Sequence, residues 1–215
     1  MSAEVRLRED ICRFAKSLFD RGLTPGASGN ISARTEDGGL LVTPTGSSFG
    51  DLDPARLSRF DAAGRFLEGD KPTKEMPLHQ AFYETRQGAG AVVHLHSCHA
   101  VAWSMMPNVD PENLLPPLTA YSVMRLGKVQ LLPFFLPGDP AMGQAVRGLA
   151  GKRSAVVLAN HGPVVAGKEL AATVQAMEEL EETAKLAMLT HGHGVIGLTP
   201  EQVQAVVTRF DVEWD

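Results

Sequence analysis

The sequence predicts an α/β sandwich built on a mostly antiparallel sheet. Segments with helical apolar spacing and short apolar runs of strand length are mixed along the chain, without the strict alternation of a parallel fold. The 215 residues show no internal repeat and no low-complexity linker, so one domain over residues 1–215 is expected, long enough to bury a full core. Hydrophobic residues at 44% against charged residues at 21% give a globular balance and exclude a disordered chain.

The elements follow in order. Leu7, Ile11, Phe14, Ala15 and Leu18 recur at helical spacing, which predicts an amphipathic helix over 4–20, stopped by Gly22 and Pro25. Short strands are expected at 31–33, 40–43 and 57–60, with Ala63-Gly64 as a hairpin turn before 65–67. A helix over 75–86 precedes a buried strand over 91–96, and 98–104 begins another helix. A strand at 129–132, a helix at 140–149 and an apolar strand at 154–159 come next. Residues 169–189 form a long helix with Leu170, Val174, Met177, Leu180, Ala184 and Ala187 on one stripe. Thr199-Pro200-Glu201-Gln202 carries a helix-start signature.

Charge and composition narrow the function classes. The net charge is −5 with no block of like charges, which argues against nucleic-acid and membrane partners. A small anionic substrate stays compatible, because local donors bind an anion whatever the global charge. The N-terminus alternates charged and apolar residues, unlike a signal peptide, and no apolar stretch is long enough to span a bilayer. Two cysteines, Cys12 and Cys98, make no disulfide framework, so a cytoplasmic location is expected.

The chemistry concentrates on histidines. In Val92-Val93-His94-Leu95-His96 the strand period puts His94 and His96 on one face, which is half of a metal site. His161 ends the apolar run 156–160 and precedes Gly162-Pro163, a turn that can aim it. Three histidines on two strand ends leave a coordination position open for substrate, as catalytic zinc sites require. His99 reads as a neighbour at a helix start, and Cys98 would be a thiolate ligand only if the strand continued that far. His191 and His193 lie in a Gly-rich loop and read as surface residues, and the run 178–182 reads as an exposed helix face. His79, one turn beyond Glu75, supports that helix face.

These residues fall into five motifs: 26–32 (GASGNIS), 42–46 (VTPTG), 71–75 (KPTKE), His94-Leu95-His96 and Asn160-His161-Gly162. In this order they resemble the class II aldolase/adducin family over nearly the whole chain. The resemblance implies a three-layer α/β/α fold around a central antiparallel sheet and a fourfold homotetramer. It implies Zn2+ on His94, His96 and His161, with Glu75 as acid/base and as a metal ligand when substrate is absent. It also implies phosphate binding by Ser28, Gly29 and Asn30, by Thr45 and Gly46, and by Thr73 and Lys74. Those loops suit an anion on their own chemistry, since glycines allow close backbone approach and hydroxyls, Asn30 and Lys74 supply donors.

Within the family, Lys74 directly before Glu75 and the segment 94–104 look most like the 3-oxo-tetronate 4-phosphate decarboxylases. Fuculose-type aldolases and thiosugar-phosphate dehydratases are the alternative enzymes, and an adducin-like binding module is the alternative of another class. The intact three-histidine and glutamate set counts against the binding module. The absence of a carboxylate in 118–122 counts against the family's epimerase. Decarboxylation of a β-keto acid leaves an enediolate, whose charge zinc stabilises as a Lewis acid, and Glu75 then returns a proton to carbon, giving dihydroxyacetone phosphate. Tyr121 matches a tyrosine that reaches substrate across a subunit boundary in the aldolases, and is carried as a proton donor.

Overall fold

The structure, a computed structural model, describes residues 2–214. Its helices are α1 (Ala3–Asp20), α2 (Met76–Thr85), α3 (Cys98–Ser104), α4 (Ala120–Leu126), α5 (Ala141–Gly148), α6 (Leu170–Thr190) and α7 (Pro200–Phe210). Its strands are β1 (Asn30–Arg34), β2 (Leu40–Val42), β3 (Ser58–Phe60), β4 (Phe66–Glu68), β5 (Ala91–His94), β6 (Val129–Leu132), β7 (Ala155–Leu158) and β8 (Gly162–Gly167). Among the described residues the strands form one sheet in the order β4-β3-β2-β1-β5-β8-β7-β6. Every pairing is antiparallel except β6 with β7, so the mostly antiparallel sheet expected from the sequence is present.

Strand alternation builds two cores, one on each face of the sheet. Ala91, Val93 and Leu95 pack with Ile11 and Leu18 of α1 and with Met177 and Leu180 of α6. Val92, Val164 and Ala166 face the other way and pack with Leu78 and Phe82 of α2 and with Met142 and Val146 of α5. Helices therefore cover both faces, which makes the three layers. The stripe read on 169–189 is buried in full, as are Ile11, Ala15 and Leu18 of α1.

Three local expectations change. The strand over 91–96 ends at His94, where Asn30 of β1 and Val164 of β8 pair with it from either side. Gly162-Pro163 is not a turn but the start of β8, which the sequence reading missed. Proline is tolerated there because it lies at the strand's beginning and works through its carbonyl, which accepts from Leu95 N–H at 3.1 Å. Helix α4 was also missed: seven residues hold too little periodicity, although Thr119 caps it by accepting from Ser122 N–H at 3.1 Å.

Gly162 is tied to its place by space. A Cβ there would lie 2.1 Å from Leu95 O, at a φ of +155°. Gly162→Ala is expected to force β8 away from the 94–96 segment at a cost of about 1–3 kcal/mol. A thermal melt checks this: a fall of several degrees is the expected result, and an unchanged melting temperature would speak against the close approach.

Candidate active site

Four elements converge at one end of β5. His94 closes that strand on the α2 face, and its ring Nδ1 donates to Pro163 O at 2.9 Å. This fixes the tautomer and leaves Nε2 with a free lone pair. His96 follows two residues on, while Leu95 between them is buried in the opposite core. His161 sits in the tight connection of β7 to β8, which is closed by its own N–H to Leu158 O at 3.1 Å. Asn160 takes the left-handed conformation that the turn needs, with φ 58°. Glu75 is the N-cap residue of α2, and its N–H donates to Thr73 Oγ1 at 3.2 Å. Pro77 in the first turn starts the helix there, since it gives up an N–H that the helix does not use.

The ligand atoms of these four residues all lie within 4.8 Å of one another. His96 Nε2 is 3.1 Å from His94 Nε2 and 3.1 Å from His161 Nε2. Glu75 Oε2 is 3.3 Å from His94 Nε2, and Oε1 is 3.3 Å from His161 Nε2. Nitrogen lone pairs do not gather this closely without a cation or a proton between them. Four donors at about 2.0–2.1 Å from a tetrahedral ion stand about 3.3 Å apart, so the set fits a divalent transition metal.

Protonation favours the same use. Burial pushes His94 below the ordinary histidine range and takes His96 down to about 4, with the neighbouring imidazoles adding to the effect at His96. Both rings are therefore neutral ligands near pH 7. Burial pushes the Glu75 carboxyl upward, but the facing His94, His161 and the Asn30 amide outweigh it and hold the group well below the usual carboxylate range. Asn30 Nδ2 donates to Glu75 Oε2 at 2.8 Å.

A cleft of about 170 Å³ opens over this group. Ser28, Gly29, Asn30, Thr45, Gly46, Thr73 and Lys74 line it together with Glu75 and His96. All seven residues read as phosphate-binding thus share one cavity with Glu75 and with His96 of the histidine group. Gly29 permits the approach of its loop: φ is +83°, and a Cβ would lie 2.9 Å from His94 O. Lys74 is exposed and makes no ion pair among the described residues, so its charge is free for a ligand.

The Class II Aldolase and Adducin N-terminal domain model matches residues 9–188. The chain belongs to the class II aldolase/adducin family. A 3-oxo-tetronate 4-phosphate decarboxylase of Escherichia coli (strain K12) is 46% identical over 200 residues, covering 93% of this chain and 94% of that protein. An L-fuculose phosphate aldolase of Methanococcus maripaludis is more distant, at 33% over 177 residues, covering 82% of this chain and 91% of that one. The crystal structure of YgbL from Escherichia coli superimposes with a TM-score of 0.93 at 44% identity, covering 95% of this chain and 99% of that one.

Against this family background, the other candidates fall into place. Cys98 is exposed at the start of α3 and stands outside the ligand group. His99 pairs with Glu181 of α6 at 2.8 Å. Glu181 corrects the reading of 178–182 as an exposed face: it is buried and accepts from the N–H groups of His99 and Ala100 at 2.8 and 2.9 Å, capping α3. His191 and His193 are exposed, and no helix among the described residues is long and apolar enough to cross a membrane. Tyr121 is not brought to the cleft within one chain. It is 59% exposed and lines a separate surface hollow with Arg21, Arg125 and Glu181. Pro137 and Gly138 form a cleft wall that the sequence reading missed, for loop residues without titratable groups carry no signal. Nor did it see the depth of His79, which is fully buried against Asn30 and Ser32.

Proposed function

We propose that the chain is a zinc-dependent carbon–carbon lyase that decarboxylates 3-oxo-tetronate 4-phosphate to dihydroxyacetone phosphate and CO2. The observation that carries this is the cleft in which the seven residues read as phosphate-binding meet Glu75 and His96, two members of the metal-type group completed by His94 and His161. The relatives named for this decarboxylation support the substrate, being 42–47% identical. Lys74 supports it too, as a free cation beside Glu75 able to pair with a phosphate or a carboxylate.

His94, His96 and His161 would hold the metal, with Glu75 as the further ligand before substrate arrives. A divalent ion there supplies Lewis acidity toward the substrate's oxygens. The loops at 28–30, 45–46 and 73–74 hold the phosphate, which fixes the distance from the phosphate end to the reacting carbon. Breaking the bond between carboxylate and C2 leaves its electron pair on C2, conjugated with the ketone. Glu75, once drawn away from His94 and His161, takes a proton from solvent and delivers it to C2. One proton is consumed for each CO2 released. In a homotetramer, Tyr121 of a neighbouring chain reaches this site as a second proton donor.

The test is turnover of the keto acid by zinc-loaded protein, with CO2 and dihydroxyacetone phosphate followed together and L-fuculose phosphate run in parallel. Equal release of both products from the keto acid supports the decarboxylase. Cleavage of the ketose phosphate alone would move the chain to the aldolases while keeping the metal site.

A further inference from the structure

Helix α2 and strand β1 are laced together by side chains that alternate between them. The helix contributes Glu75, His79 and Tyr83, four residues apart and therefore on one face. The strand contributes Asn30 and Ser32, two apart on one face. Tyr83 OH lies 2.9 Å from Ser32 Oγ, and Ser32 Oγ lies 2.7 Å from His79 Nδ1. His79 Nε2 contacts Asn30 Oδ1, and Asn30 Nδ2 reaches Glu75 Oε2 at 2.8 Å. Every member is buried, with His79 and Ser32 at 0% exposure.

Donor and acceptor chemistry gives this chain one direction. Asn30 donates to the carboxylate through its NH2, so its carbonyl oxygen is turned to His79. A carbonyl only accepts, so His79 Nε2 carries the hydrogen. In the neutral ring Nδ1 then accepts from Ser32, whose oxygen in turn accepts from the Tyr83 hydroxyl. An asparagine amide is nearly symmetric in shape, so packing alone does not choose between its two orientations. The flipped amide would aim its oxygen at the carboxylate and its NH2 at a hydrogen-bearing ring nitrogen.

We infer that His79 is a positioning residue: its Nε2–H locks the Asn30 amide so that Asn30 holds Glu75 against the metal-binding histidines. The role rests on the reading of Glu75 as metal ligand and acid/base, and two of its readouts are independent of the substrate.

The experiment compares wild type with His79→Leu, which removes the donor at similar volume, and with His79→Gln, which keeps an N–H near the place of Nε2. Nitrogen-15 NMR of histidine-labelled protein is expected to show the neutral Nε2–H tautomer at His79. Zn2+ affinity, by competition with a chelating dye, is expected to fall about 10- to 100-fold in His79→Leu and to return to within about threefold of wild type in His79→Gln. The kcat follows the same order with KM little changed. An Nδ1–H tautomer would overturn the inference, as would wild-type Zn2+ affinity in His79→Leu or equal impairment of both variants. If His79→Leu fails to fold, Ser32→Ala takes its place: a Zn2+ affinity weakened about threefold or more supports the relay, and an unchanged affinity overturns it. A wild type that binds Zn2+ but leaves the keto acid untouched refutes the proposed function alone, because tautomer and affinity still decide the role of His79.

Discussion

Glu75→Gln is expected to lower kcat about 10²- to 10⁴-fold in protein kept saturated with Zn2+, with KM nearly unchanged, and to weaken Zn2+ affinity about 10-fold or more through the lost ligand. The replacement keeps size and shape, and its amide oxygen still accepts from Asn30 Nδ2 where Oε2 did at 2.8 Å. It has no proton to deliver and none to take up. The three histidines stay, and the 3.1 Å spacing of His96 Nε2 from each of the other two is held without Glu75, since His94 is fixed by Pro163 O and His161 by its own turn. Steady-state kinetics with metal analysis of the same sample separates the possibilities. Activity restored in full by saturating Zn2+ would make Glu75 a ligand only, and normal turnover without added metal would remove it from the chemistry.

His94→Ala is the larger disruption. This imidazole is fully buried, lies 3.1 Å from His96 Nε2 and faces Glu75 at 3.3 Å, so it stands at the centre of the ligand group. Its removal leaves two histidines and one carboxylate and takes from Pro163 O one of its two donors, the other being Leu95 N–H. The expected result is loss of stoichiometric metal after dialysis and a fall in turnover of about 10³-fold or more, because Lewis-acid stabilisation contributes several kcal/mol and each 1.36 kcal/mol is tenfold in rate. His191→Ala, an exposed histidine outside the group, is the matched control and is expected to behave as wild type. Full metal and full turnover in His94→Ala would end the metal assignment.

The parts of the fold legible in the sequence are those where one period runs long enough to be read. The stripe of α6 repeats over five turns, and the apolar runs of β5 and β7 are flanked by clear breakers. Helix α4 and strand β8 escaped for opposite reasons: α4 is too short to show a period, and β8 opens on Gly-Pro, which locally signals a turn. What permits that opening is tertiary, namely the carbonyl role of Pro163 and the absence of room for a Cβ at Gly162. At the site, His94 and His96 were legible because a strand's period of two is short-range. His161 joined them as a histidine at the end of a second apolar strand, whereas the three loops came together only through the family's motif order, as no local rule brings residues 28, 45, 73 and 94 to one cleft. The buried partner of His99 and the lacing of α2 to β1 depend on contacts between residues distant in sequence, 181 with 99 and 79 with 30. Neither spacing nor composition encodes them visibly.

X-ray absorption spectroscopy at the zinc edge of the loaded wild-type protein tests the metal site most directly. The expected result is a first shell of nitrogen and oxygen only, with the outer-shell scattering of three imidazoles, matching His94, His96 and His161. A sulfur atom in the first shell, which only a cysteine such as the exposed Cys98 or a methionine would supply, or fewer than three imidazoles, would contradict it.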